Sequence, residues 1–154
     1  MEIKTMVNRL SRRYDTRNPF ELAKAKGITV LYCDLGSVTG YYIKIKNKKF
    51  IHINTQLSDK EQEYTCAHEL GHALLHSASN TPFMHTATNF IVNKFEIEAN
   101  KFAIQLLYPD DVFMEYCNCT NLQISQILKI PVELVEYKFS TINSTLGGTY
   151  YADL

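Results

Sequence analysis

The segment His68-Glu69-Leu70-Gly71-His72 sets two imidazoles four residues apart, with a carboxylate directly after the first. On a helix this spacing projects both rings from one face, about one turn apart. That separation suits two ligands of one tetrahedral zinc ion, with Zn–N bonds of ~2.0–2.1 Å. Glu69 then points beside the metal rather than at it, in reach of a water held there. In that place it is a general base, able to take the proton and deliver it to a leaving amine. The chemistry implied is metal-assisted hydrolysis, with zinc acidifying water and polarising a carbonyl. Gly71 fits a position where another backbone or the substrate packs closely. Five residues can match by chance, but Tyr64, Ala67, Leu70, Ala73, Leu74 and Leu75 give the helix strong apolar flanks. Both histidines therefore sit near a core, where an unpaired imidazole is costly.

A catalytic zinc needs a third protein ligand and an open fourth position. The segment Phe95-Glu96-Ile97-Glu98-Ala99-Asn100-Lys101-Phe102-Ala103 supplies two candidates. Its packing stripe is Ala99, Ala103, Leu106 and Leu107, and Glu96 falls on that stripe, three residues before Ala99. Small alanines let two helices approach closely enough for Glu96 to reach the metal. Glu98 lies off the stripe and is the alternative ligand. Asn100, four residues after Glu96, can hydrogen-bond a ligand histidine and orient it. His76 continues the row of His68 and His72, but as a third ligand it would have to bend back across two turns. It is expected near the substrate or at the helix end. His85 follows in a loop and His52 lies on a strand; a surface and a structural role are expected for these. Tyr41, Tyr42 and Tyr64 read as core or rim residues.

These residues need elements to hold them. Ser58 and Glu61 form a capping box that starts a helix over about 59–76. The stretch 77–92, with Pro82 and many small residues, reads as a loop near the site. A second long helix is expected over Asn93–Leu107, stopped by Pro109. Upstream, Ile3, Met6, Val7 and Leu10 recur at helical spacing. Asn18-Pro19 caps a second short helix that ends at Gly27. Ile28–Cys33 reads as a buried strand. Tyr41–Lys46 and Lys49–Asn54 alternate apolar and polar residues and form a hairpin around Asn47-Lys48. Its lysines discourage edge-to-edge pairing. Short helices are expected over 110–116, 122–128 and 132–142, and the tail from Ser144 is expected to be loose.

At 154 residues the chain favours one domain, spanning 1–143 with a helical subregion at 121–142 and a tail at 144–154. Hydrophobic residues make up 45% and charged residues 21%, so a sizeable core can form. Sixteen lysines and arginines balance 16 aspartates and glutamates, which gives no overall pull toward nucleic acid or anionic membrane. No stretch approaches the ~20 apolar residues that span a bilayer. No apolar signal core follows Met1, and a cytoplasmic protein with thiol rather than disulfide cysteines is expected.

Taken together, His68–His76, Glu96–Ala103 and Leu106-Leu107-Tyr108-Pro109 resemble the ImmA/IrrE family of zinc metallopeptidases. The Phe50–Asn54 strand and the short C-terminal helices match its layout, and the resemblance covers roughly residues 20 to 142. It implies an α+β, zincin-like domain. A short, mainly antiparallel sheet would pack against the His68–His72 helix and a second ligand helix, followed by short C-terminal helices. It carries the zinc ligands to His68, His72 and Glu96 and the general base to Glu69. It further implies a phage or mobile-element protein that cleaves a helix-turn-helix repressor encoded nearby. Two other readings stand beside it: a non-catalytic module that relieves repression by contact, and the toxin of a toxin–antitoxin pair. Residues 122–135 superficially resemble a helix-turn-helix themselves. The second helix carries Glu133 and Glu136 with only Lys138, however, so direct DNA binding is not expected.

Overall fold

The computed structural model describes residues 2–77 and 89–146, with side chains placed except at 89–92 and 145–146. His85 and the residues beyond Leu146 lie outside it. Two compact units are present, Met1–Leu107 and Tyr108–Leu154.

The first unit opens with helices α1 (Ile3–Tyr14) and α2 (Pro19–Ala25). The side chain of Asn18 accepts the backbone N–H groups of Phe20 and Glu21, satisfying donors that the first turn of α2 leaves open. Gly27, with φ at 68°, turns the chain out of α2 into β1 (Ile28–Cys33). Strands β2 (Gly40–Ile45) and β3 (Lys48–Asn54) form the expected hairpin. Ile45 pairs with Lys48, so the two turn residues are Lys46 and Asn47, one position earlier than the alternation suggests. Lys46 takes a left-handed φ of 54°, which a two-residue hairpin turn demands.

The sheet order is β1-β3-β2. β3 pairs antiparallel with β2 and parallel with β1, so the sheet is mixed rather than mainly antiparallel. The reason is burial. Ile51 and Ile53 of β3 are fully buried, which puts β3 in the centre and sends β1 and β2 to the two edges.

Helix α3 (Asp59–Leu75) covers one face of the sheet. Its start is fixed by Glu61, whose carboxylate accepts both the backbone N–H and the hydroxyl of Ser58. Helix α4 runs from Asn89 to Leu107, one turn longer at its start than expected. The core joins Val7, Leu22, Tyr42, Ile51, Ile53, Leu70, Phe102 and Leu106. Each such side chain contributes roughly 1.5–3 kcal/mol by leaving water. Arg17 straps α4 to the first two helices by donating to the carbonyls of Gln105 and Leu106 and to Asn8.

The second unit holds α5 (Asp110–Met114), α6 (Asn121–Leu128) and α7 (Val132–Leu146). Helix α7 runs through Ser144, where the tail was expected to begin. Ile124, Leu134 and Val135 are buried, and Phe113 meets Phe139 edge to face at 5.0 Å. No helix among the described residues is long and apolar enough to cross a membrane.

Candidate metal centre

Helices α3 and α4 cross at Gly71. A β-carbon there would sit 3.1 Å from the Cα of Ala99 and 3.1 Å from the Cβ of Phe102. Small residues on both helices thus bring the backbones together, and the polar side chains beside the crossing meet. Tyr64, His68 and His72 rise from α3 four residues apart, opposite Glu96 and Asn100 of α4, also four apart.

Three ligand-type atoms converge there. The Nε2 atoms of His68 and His72 are 3.1 Å apart. Glu96 Oε2 is 3.2 Å from the first, and Glu96 Oε1 is 3.2 Å from the second. Tetrahedral bonds of ~2.0–2.1 Å to one zinc would set ligand atoms roughly 3.3–3.4 Å apart. Two neutral imidazoles turned lone pair to lone pair repel unless a cation or a proton stands between them. The donor set therefore fits a zinc ion. Among the described residues, these three are the group able to hold a metal.

The surroundings shape each group. His68 is oriented by Asn100, whose Oδ1 lies 2.9 Å from its Nδ1. Burial alone would lower the pKa of His68, but hydrogen bonding to Glu96 and the nearby carboxylates raise it overall. Burial would likewise raise the carboxyl of Glu96, yet its hydrogen bonds to His68 and His72 hold it well below the usual carboxylate range. Glu69 is only 4% exposed. Burial pushes its carboxyl up, and the neighbouring histidines and the backbone N–H of Tyr42 pull it partly back.

Glu98 does not join the cluster. Its Oε2 lies 3.1 Å from His76 Nε2, a contact that does not form a hydrogen bond. His76 stacks on Phe95 at 3.9 Å, and burial lowers its pKa. His52 stacks flat on Tyr41 at 4.5 Å on the sheet.

A cleft of about 330 Å³ opens over the cluster, lined by Thr39, Gly40, Tyr64, Thr65, His68, Glu69, Glu96 and Asn100. Glu69 and Glu96 thus share one space with the start of β2. Gly40 is required there, since a β-carbon would lie 2.5 Å from Thr65 Cγ2 and 2.6 Å from the His52 carbonyl oxygen. Tyr64 lies at the rim, one of the two places expected for it, whereas Thr39, Gly40 and Thr65 were not anticipated as lining residues. What the sequence signalled further for Tyr64 is its place four residues before His68, on the same helix face.

A small α+β domain with two histidines and a glutamate presented from two helices is the arrangement of a metallopeptidase. The family model described as the IrrE N-terminal-like domain, a peptidase family, matches residues 23–140. An uncharacterized immunity region protein 2 from Bacillus phage phi105 is 44% identical over 139 residues, covering 88% of each chain. The metallopeptidase ImmA of Bacillus subtilis is 30% identical over 154 residues, covering 96% of this chain and 90% of that one. A Mycobacterium tuberculosis transcriptional regulator shares the fold with a TM-score of 0.56 at 15% identity, over 90% of this chain and 46% of its own. The chain belongs to the ImmA/IrrE family of metallopeptidases.

Proposed function

We propose that this protein is a zinc-dependent endopeptidase that cleaves a helix-turn-helix repressor in the cytoplasm. The observation that carries the zinc reading is the convergence of His68, His72 and Glu96 at 3.1–3.2 Å from two separate helices. What zinc supplies when bound is Lewis acidity, toward water and toward a scissile carbonyl. His68, His72 and Glu96 would hold it, and His68 and Glu96 also line the cleft. Glu69, in the cleft wall beside them, takes a proton from the attacking water as the C–O bond forms. It then returns that proton to the departing nitrogen as the C–N bond breaks. The amide of Tyr42 keeps the Glu69 carboxylate aimed during both transfers.

The repressor as substrate draws on the relatives. One is named for a phage immunity region and another is a metallopeptidase. Glu69→Gln separates proteolysis from relief of repression by contact. The variant is expected to keep one equivalent of zinc and lose repressor cleavage, read by mass spectrometry of the repressor encoded beside the gene. Derepression that survives in Glu69→Gln would make this a binding module instead. Growth arrest on induction without that repressor would support the toxin reading.

A further inference from the structure

We propose that Tyr64 is a positioning residue for His68, acting through Asn100, so that zinc affinity depends on a hydroxyl that makes no contact with the metal. This inference rests on the zinc reading above.

The geometry is a three-member chain across the two helices. Tyr64 Oη donates to Asn100 Oδ1 at 3.0 Å, and the same oxygen receives His68 Nδ1 at 2.9 Å. An amide oxygen has two lone pairs, and these two donors use both. Its orientation sets the tautomer of His68. With the oxygen facing the ring, Nδ1 carries the proton and Nε2 is left as a bare lone pair facing Glu96 and His72. If the amide turned over, its NH₂ group would face Nδ1, and the proton would move to Nε2, where it blocks a metal.

Tyr64 decides between the two orientations. A phenol is a good donor and a poor acceptor, so it favours the amide oxygen over the NH₂ group. Without the hydroxyl, Asn100 keeps only His68, among the described residues, to choose its orientation. The spacing makes the arrangement possible: Tyr64 precedes His68 by one turn on α3, and Asn100 follows Glu96 by one turn on α4. One acceptor therefore ties the metal face to a residue a full turn away.

Zinc affinity, measured by competition with a chromophoric chelator, tests this without reference to activity. Residues that support a metal ligand change affinity by ~10–100-fold when removed. Asn100→Leu should lie in that range, and Tyr64→Phe should weaken binding by ~3–10-fold, as the remoter member. Asn100→Asp, which can accept from both donors, should bind at least as tightly as wild type. The decisive arm is the cycle: in an Asn100→Leu background, Tyr64→Phe should have no further effect. Additive losses would overturn the inference, because Tyr64 would then act independently of Asn100. Wild-type affinity in Tyr64→Phe would overturn it as well; if cleavage fell at the same time, the hydroxyl would be acting on substrate. A wild-type protein that holds no zinc would sink the zinc reading and this inference together.

Discussion

Both units bury charged or titratable side chains between helices, and they do so in opposite ways. In the second unit Lys138 is fully buried and its ammonium meets Asp110 at 2.7 Å. Donor faces acceptor, and the two opposite charges offset each other. In the first unit, two imidazole nitrogens and a carboxylate face one another at 3.1–3.2 Å. All three are groups that offer lone pairs, and a single proton cannot serve them all. Titratable groups between helices are therefore not themselves a sign of function. The distinguishing sign is an excess of acceptors aimed at one point, in the wall of a cleft.

Removing acceptors from that excess should have the largest effect. Glu96→Ala should weaken zinc binding by more than the ~10–100-fold typical of residues that only support a ligand. Glu98→Ala, whose carboxylate faces His76, should leave affinity within about threefold of wild type. The reverse order in a chelator titration would exchange the roles of the two glutamates.

The Lys138–Asp110 pair should behave as structure alone. Lys138→Met leaves a carboxylate without its ammonium, but that carboxylate is 36% exposed, so the loss should stay below the ~3–5 kcal/mol of a fully buried pair. Urea unfolding should show that loss, partly restored by adding Asp110→Asn, with zinc affinity unchanged. A change in zinc affinity would break the contrast between the two units.

Gly40→Ala should cost ~1–3 kcal/mol, because the new methyl meets Thr65 and backbone at overpacked distances. It should lower cleavage further than stability explains, since the strand that moves carries the Tyr42 amide on Glu69. Equal kcat/KM in folded Gly40→Ala would remove β2 from the positioning of Glu69.

The smallest effect concerns thiols. Burial, with Glu69 and Glu63 nearby, pushes the Cys66 thiol up to about 12, while Cys117 and Cys119 are partly exposed. With iodoacetamide at pH 8 the native protein should label at the partly exposed Cys33, Cys117 and Cys119 and spare Cys66. Equal labelling would mean that the core around α3 opens readily.

Much of this was legible in the sequence because helix periodicity is local arithmetic. Ser58 and Glu61 announced the start of α3. Intervals of four residues placed His68 with His72 and Glu96 with Asn100, and Gly71 marked a close approach. What escaped depended on pairing across distance. The parallel register of β1 on β3 follows from which strand is buried deepest, and alternation within a strand cannot express that. The hairpin turn moved by one residue because the left-handed turn fell to Lys46, which carries no glycine-like signal. Tyr64 looked like a rim aromatic because its role depends on an acceptor 36 residues away.

Gly71 bears on how this protein would respond to attempts to strengthen it. A glycine inside a helix is a usual target for stabilisation, since alanine there gains roughly 0.5–1 kcal/mol of helix propensity. Here the added methyl would press on the backbone of Ala99 at 3.1–3.2 Å, and α4 would have to yield by a few tenths of an ångström. Glu96 rides on that same helix, three residues earlier. A screen for thermal tolerance and a screen for metal loading would therefore rank Gly71→Ala differently, and a stabilised variant selected by the first would carry its cost in the second.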